Sequence, residues 1–533
     1  GSAFTSQMLL DAGLSSYYVF SQLREELNLP SGFTMEQARM VLGIRYELSL
    51  RRASGYTDYT LVEDVDTAFI SMVTDGNYAG AEISQSTVRE YETTAAAHIL
   101  GLVGPLYPED LENPFYDDYP QNATVGKSGV EAAFEEYLRG KNGRRVISTN
   151  SEGKITGQYY ATEPEPGSTV ELTIDLELQQ TVEAILAEAV TAMNKDGLTD
   201  RGAAAVVELV DSGELLALAN YPTYDLSTYR QDYTELSEDP AHPLYNRATS
   251  TPYAPGSTIK PLTAVAALEE GIVSPTDKIY SPYTWRYPGD PNSYSNCAGG
   301  SHGWINVSQA ITKSCNYFFS EMGYQLGMDN LREYLSAFGL GAHTGIETGD
   351  NTGTLPENRP GEDQAPWAGY GQANQAYTPL QLANYICTLV SGGVRREPHL
   401  LKAVKSYDNS QVLAVGNTEP VQTLELHDAT LEAVKKGMYG YTQPGGSVAA
   451  YFQNCVVTAG AKTGTSQLGG DQKDNGVFVC FAPYDDPEIV VSIVIEHAGS
   501  GAALAPSAVK ILNAYFSADN VSGSITGENQ LLP

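Results

Sequence analysis

Two pairs of strand-like apolar segments, far apart in the chain, limit the fold more than any other feature. Ala203–Val210 and Glu214–Asn220 flank Asp211-Ser212-Gly213, while Val477–Phe481 and Ile489–Glu496 are joined across Pro483–Pro487. Each pair reads as a β-hairpin. Between them the pattern turns helical, with a helix predicted at Ser257–Glu270, closed by Gly271, and another at Thr378–Val390, opened by Thr378 as N-cap and Pro379 at N1. Leu176–Met193 reads as a long amphipathic helix and Pro506–Phe516 as a final helix. Strands, then many helices, then strands predict one α/β domain whose antiparallel sheet draws on distant parts of the chain.

The N-terminal region has a different texture. Residues 1–165 are polar, tyrosine-rich and irregular, with helical patches at Glu36–Leu48 and at Val130–Leu138, where the run stops at Gly140. Glu163–Gly167 (EPEPG) is a stiff, turn-prone linker, followed by strand-like alternation over Val170–Ile174. The length of 533 residues allows two to four domains at about 100–200 residues each. The expected division is a first domain over 1–165, a second over 166–520 and a tail over 521–533.

Charge excludes whole classes of partner. With 31 basic and 65 acidic residues the net charge is −34, so the chain lacks the basic surface that binding DNA, RNA or anionic lipid requires. Only 18% of residues are charged while 42% are apolar, which separates this chain from an acidic disordered tail. Cys297, Cys315, Cys387, Cys455 and Cys480 form no C-x-x-C pair, so free buried thiols are expected rather than a disulfide framework, and no metal or cofactor is expected. No run reaches the ~18–20 apolar residues of a spanning helix. The initial Gly-Ser reads as a cloning remnant, so an N-terminal anchor or signal could have been removed without trace.

The chemistry-bearing motifs need weighing against chance. There is no G-x-S-x-G and no H-E-x-x-H, and Gly126-Lys127-Ser128 fails as a phosphate loop because Gln121 stands where the first glycine belongs. The S-x-x-K pattern occurs three times, at Ser151/Lys154, Ser257/Lys260 and Ser507/Lys510. Ser151 sits in a polar turn, and Ser507 follows Pro506 where an N-cap is the ordinary explanation. Ser257 follows Tyr253-Ala254-Pro255-Gly256 at the start of an apolar helix, and the i, i+3 spacing predicts Lys260 on the same face within reach of its hydroxyl. A helix N-terminus also supplies free N–H groups and positive potential for a developing oxyanion. Alone, this too would read as an N-cap beside a surface lysine.

Company changes that reading. Ser314-Cys315-Asn316 and Lys462-Thr463-Gly464-Thr465 follow in order, whereas the competing Ser148-Thr149-Asn150 and Lys127-Ser128-Gly129 fall early and in the wrong order. Lys462–Thr465 precedes the last hairpin, so it is predicted on a sheet strand facing the Ser257 helix. The trio is the signature of penicillin-binding proteins and active-site serine β-lactamases. With Thr169–Gln180 (TVELTIDLELQQ), Ala254–Leu262 (APGSTIKPL), His302–Phe319 (HGWINVSQAITKSCNYFF), Thr378–Asn384 (TPLQLAN) and Ala461–Ser466 (AKTGTS), the chain resembles the class B penicillin-binding proteins. Ala95–Gly104 (AAAHILGLVG) and Val125–Gly143 (VGKSGVEAAFEEYLRGKNG) resemble that family's N-terminal pedestal, and the similarity spans about residues 85–515. Two departures are visible: no membrane anchor or arginine- and glycine-containing segment precedes the pedestal, and Cys315 replaces the aspartate usual in the middle of S-x-N.

The resemblance implies an α/β transpeptidase domain, with a central antiparallel sheet flanked by helices plus an all-helical subdomain, on an elongated α+β, dimerisation-type pedestal. It implies a serine D,D-transpeptidase that cross-links peptidoglycan stem peptides ending in D-Ala-D-Ala through an acyl-enzyme on Ser257, and that β-lactams acylate. Lys260 is the implied base, Ser314 the proton relay, Asn316 the group that orients Lys260 and the substrate amide, and Lys462 the source of positive potential. Thr463 and Thr465 would bind the substrate carboxylate, Gly464 would open the strand edge to the substrate backbone, and the N–H groups of Ser257 and Thr465 would form the oxyanion hole. Implied too are a membrane glycan polymerase of the SEDS type as partner and a place on the extracytoplasmic face of a bacterial membrane, held by a single N-terminal anchor. The alternatives are a D,D-carboxypeptidase or β-lactamase-like hydrolase, and a regulatory partner that activates the polymerase.

Overall fold

In the computed structural model, which describes residues 16–518 apart from 54–58, 63–64, 77, 79, 85–88, 108, 121–122, 152–153, 199 and 469–471, the two distant hairpins meet in one sheet. The expected tail, 521–533, lies outside the described residues. The first hairpin is β1 (Ala203–Leu209) and β2 (Leu215–Tyr221); β3 (Gly460–Ser466) joins β4 (Asn475–Ala482) and β5 (Ile489–Ile495). The strand order is β3-β4-β5-β1-β2, antiparallel throughout, and Ile493↔Ala205 and Val491↔Val207 close the long-range seam.

Every residue of β4 and β5 is buried, so these strands read as continuous apolar runs rather than as half-polar ones. Side chains alternate between two cores. Val477, Val479 and Phe481 face one that contains residues of α2 (Lys260–Glu269), α4 (Asn316–Ala337) and α5 (Pro379–Val390), while Phe478, Cys480 and Ala482 face another built from α1 (Leu176–Met193) and α7 (Ala505–Ala518). Helices α2, α4, α3 (Val307–Thr312) and α6 (Asp428–Thr442) make the helical body beyond the first core.

The described residues divide into two compact units, one drawn from 1–88 and 144–162 and the other from 89–143 and 163–533. The first holds helices Ser16–Glu26, Met35–Ala53 and Thr67–Gly76 with the hairpin Arg144–Thr149/Ile155–Thr162. Arg45 Nη1 donates to Leu27 O at 2.7 Å and Asn28 O at 3.0 Å, tying its first two helices together. In the second unit, Ile99, Val130 and Phe134 enter the same core as α2 and α4, so compactness divides the chain elsewhere than the composition change near 165. The helix expected over Val130–Leu138 breaks at Phe134 into Gly129–Ala133 and Glu135–Leu138, which lets Phe134 bury while Glu135 Oε2 accepts from Gly126 N at 2.8 Å.

Helix α5 lies against the sheet and is anchored by a capping box: Gln381 N donates to Thr378 Oγ1 at 3.1 Å, and Thr378 N to Gln381 Oε1 at 3.0 Å. Thr378 is fully buried, so its loss leaves an N–H without a partner. Thr378→Ala should therefore cost about 1–2 kcal/mol, read as a lower urea midpoint, while Thr378→Ser should retain most of the stability.

Candidate active site

Glycines bring the Ser257 turn against the exposed edge of β3. Gly256 has φ +53°, and a Cβ there would lie 2.6 Å from both Thr465 N and Thr465 O; at Gly464 it would lie 2.2 Å from Pro255 O, and at Gly371 1.7 Å from Gly256 O. Backbone packs directly on backbone, which only glycine permits at these distances. Gly464 was expected to clear space for a substrate strand; in the structure it clears space for the nucleophile turn. The turn's entry is fixed from the other side: Tyr253 exchanges two backbone bonds of 2.8 Å with Tyr377, and its phenol donates to Glu496 Oε1 at 2.7 Å, which also accepts from the buried Arg247 Nε at 3.1 Å.

The predicted helix at Ser257 opens as a 3₁₀ turn, Gly256–Ile259, and becomes α-helical at Lys260. Ser257 lies inside that turn, half-buried, and caps no helix, which removes the N-cap explanation. Lys260 reaches across to the junction of α3 and α4. Its Nζ donates to Ser314 O at 2.8 Å, Ser314 Oγ at 3.2 Å and Asn316 Oδ1 at 2.7 Å. From the sheet, Lys462 Nζ donates to the same Ser314 Oγ at 3.0 Å and to Thr463 O at 3.0 Å. Two lysines from different motifs thus share one hydroxyl.

The junction is built to present that hydroxyl. Ser314 has φ +50°, a left-handed conformation uncommon for a residue with a side chain, and it lets α3 end and α4 begin within three residues. Cys315 turns away from the site: its sulfur accepts from Phe318 N as the N-cap of α4 and lies 2.8 Å from Ser281 Oγ. Asn316 Nδ2 donates to Asn296 O at 2.8 Å, which aims its carbonyl oxygen at Lys260.

Both lysines are fully buried. Burial holds Lys260 well below the ordinary lysine range, and the neighbouring Lys462 cation lowers it further. Burial alone pushes Lys462 down to about 7. The pocket can therefore hold a neutral amine as proton acceptor beside a cation at neutral pH. Thr463 and Thr465 stand half-exposed on the strand edge.

The competing motifs are elsewhere and apart. Ser151 and Lys154 lie at the turn of the Arg144–Thr149/Ile155–Thr162 hairpin, which also carries Ser148–Asn150. Ser507 is inside α7 rather than capping it, and Lys510 pairs with Glu188 at 2.6 Å. Lys127 bonds Asp110, and Ser128 precedes the helix Gly129–Ala133. Sequence reasoning missed Tyr441, whose hydroxyl hydrogen-bonds Thr463 Oγ1 and whose ring lies 4.3 Å below Lys462 Nζ, and Tyr370, whose ring centroid is 6.0 Å from Lys260 Nζ. Neither sits in a motif, so no sequence signal marks them.

All five cysteines are free, four of them buried. Among the described residues one cluster has metal-ligand character, Cys297, His302 and Cys315, whose donor atoms all lie within 4.8 Å of one another. Two sulfurs and an imidazole are donors that suit zinc. Cys297 and His302 share the connection between strands Asp290–Asn296 and Gly303–Ile305, and Cys315 joins them from the junction of α3 and α4.

A serine turn, two buried lysines and a strand edge, set between a five-stranded sheet and a helical body, define a serine acyl-transfer fold. Comparison with known proteins agrees: residues 203–515 match the penicillin-binding protein transpeptidase domain, and residues 10–172 the penicillin-binding protein dimerisation domain. The peptidoglycan D,D-transpeptidase MrdA of Escherichia coli K12 is 30% identical over 480 residues, covering 83% of this chain and 73% of that protein. The crystal structure of Pseudomonas aeruginosa PBP2 in complex with WCK 5153 superposes with a TM-score of 0.68 at 27% identity, over 82% of this chain and 93% of that one. A chain of a peptidoglycan synthase complex that coordinates polymerization and crosslinking gives 0.71 at 26%, over 90% and 86%. The chain belongs to the class B penicillin-binding proteins, MrdA-like peptidoglycan D,D-transpeptidases with a dimerisation-type pedestal.

The packing of Gly464 on Pro255 O makes a direct prediction. Gly464→Ala should push the Ser257 turn off the strand edge and slow acylation by a penicillin about 100-fold, with the circular dichroism spectrum unchanged; an unaltered rate would contradict the contact's importance.

Proposed function

We propose that this enzyme cross-links peptidoglycan by acyl transfer through Ser257, and that the convergence of Lys260 and Lys462 on Ser314 Oγ is the observation that carries the assignment of roles. Ser257 Oγ attacks the carbonyl of the penultimate D-Ala, and neutral Lys260 accepts its proton. The negative charge that develops on the carbonyl oxygen meets the N–H groups of Ser257 and Thr465. Lys260 returns that proton to Ser314 as Ser314 passes its own to the leaving nitrogen, and the terminal D-Ala departs with Lys260 neutral again. The amine of a second stem peptide then attacks the ester, its proton returning through Lys260 as Ser257 is regenerated. Lys462, Thr463 and Thr465 hold the donor's carboxylate, Gly464 keeps the strand edge and the Ser257 turn together, and Asn316 keeps Lys260 and the substrate amide aligned.

We further propose that the partner is a membrane glycan polymerase of the SEDS type and the site of action the extracytoplasmic face of the cell membrane, with a single N-terminal anchor; likeness to a synthase complex that coordinates polymerization and crosslinking supports the pairing with a polymerase. No described helix is long and apolar enough to cross a membrane. The functional division we infer keeps 1–165 as the non-catalytic pedestal, 166–520 as the transpeptidase domain and 521–533 as a tail.

Intact-protein mass spectrometry after penicillin treatment should show one acyl adduct that maps to Ser257. Ser257→Ala should lose it with the fold intact; undiminished labelling of that variant would sink the assignment.

The two lysines also set a pH profile. Lys260 must be neutral, so acylation falls as acid protonates it, and Lys462 must be charged, so acylation falls again as pH rises past the value of about 7 to which burial lowers it. A bell-shaped rate is expected. Lys462→Arg, which stays charged, should move the alkaline limb upward.

A further inference from the structure

We infer that Tyr441 is a positioning residue for substrate capture, its hydroxyl setting the direction of the Thr463 hydroxyl and its ring face seating the Lys462 ammonium. The inference rests on the carboxylate-binding role proposed for Thr463 and Lys462. Tyr441 is 3% exposed, near the C-terminus of α6, and its environment leaves it little freedom. Thr442 Oγ1 donates to Ala459 O at 2.7 Å, pinning the helix end to the residue before β3, and Val448 N donates to Tyr441 O at 3.3 Å. A Cβ at Gly446 would lie 2.3 Å from Tyr441 O, so the following turn closes directly over this residue. The same helix receives Thr312 Oγ1 at Gly437 O, 2.9 Å, from the end of α3 that leads into Ser314.

Thr463 lies on an edge strand with its side chain half-exposed, where a hydroxyl would ordinarily rotate among several partners. A buried phenol bonded to Thr463 Oγ1 restricts it. If the phenol donates, the Thr463 hydrogen is left to point outward to an anion, and a hydrogen bond to a charged group is the strong kind. The ring meanwhile lies 4.3 Å from Lys462 Nζ, close enough for its negative face to favour a buried ammonium. One side chain therefore orders two groups that face the same carboxylate.

The test separates the noncovalent binding constant from the acylation rate constant, using a fluorescent penicillin whose carboxylate stands for that of the donor peptide. Tyr441→Phe keeps the ring and loses the hydroxyl. It should weaken initial binding about five- to tenfold while the acylation rate constant changes less than twofold. The Tyr441→Phe/Thr463→Val double variant should bind no worse than Thr463→Val alone, because the phenol acts through that hydroxyl. Tyr441→Leu, which also removes the ring, should bind more weakly than Tyr441→Phe. Independent losses in the double variant, a slowed acylation step with unchanged binding, or no change in Tyr441→Phe would each overturn the inference. Mapping the adduct in the parent enzyme keeps the two readings apart: label away from Ser257 refutes the proposed mechanism, whereas label on Ser257 with unaltered Tyr441→Phe binding refutes only the role of Tyr441.

Discussion

Two lysine ammonium groups, removed from water and turned toward one serine hydroxyl, are the constraint around which this structure is arranged. Burying a single ammonium costs several kcal/mol, and among the described residues no carboxylate is bonded to either Nζ to offset it. The inexpensive solution is for one lysine to give up its proton, and a neutral amine beside a nucleophile is what acyl transfer needs. Stability lost at this point is recovered in the surrounding cores, where β4 and β5 bury every side chain and the helices on both faces are apolar toward the sheet.

The glycines and the left-handed Ser314 serve the same end. Lys462 comes from a sheet edge, Lys260 from a helix start and Ser314 from a helix junction, and their meeting requires backbones closer than side chains would allow. Gly256, Gly371 and Gly464 provide that approach, while the positive φ of Ser314 turns the chain sharply enough to present its hydroxyl to both amines. The overall charge of −34 adds a further condition. An acidic surface does not attract an anionic donor peptide, so in the proposed mechanism capture falls to the local positive potential of Lys462 and to the hydroxyls beside it.

Much of this was legible in the sequence because it is carried by local chemistry. The hairpins at 203–220 and 477–496 were visible from turn residues between apolar runs, and Leu176–Met193 and the Thr378 cap were found with their boundaries nearly intact. The order of Ser257, Ser314 and Lys462 marked the site and rejected its imitators. What escaped depends on tertiary placement. Helical spacing suggested Lys260 near Ser257, but not the bonds of its amine to Ser314 and Asn316, which come from a helix junction more than fifty residues on. Phe134 breaks a periodic helix because the core accepts its ring, and Tyr441 gains meaning only from Lys462 and Thr463 on the neighbouring strand.

The central claim is that the buried lysine pair cannot hold two protons at neutral pH. It is tested most directly by titrating the enzyme with ¹³C-labelled lysine side chains and following the Cε resonances by NMR, with Lys260→Arg and Lys462→Arg to assign them. The account predicts that the resonances of both Lys260 and Lys462 titrate well below the ordinary value of about 10.4, and that Lys260 is neutral while Lys462 still carries charge. Two resonances titrating together near the ordinary value would contradict it.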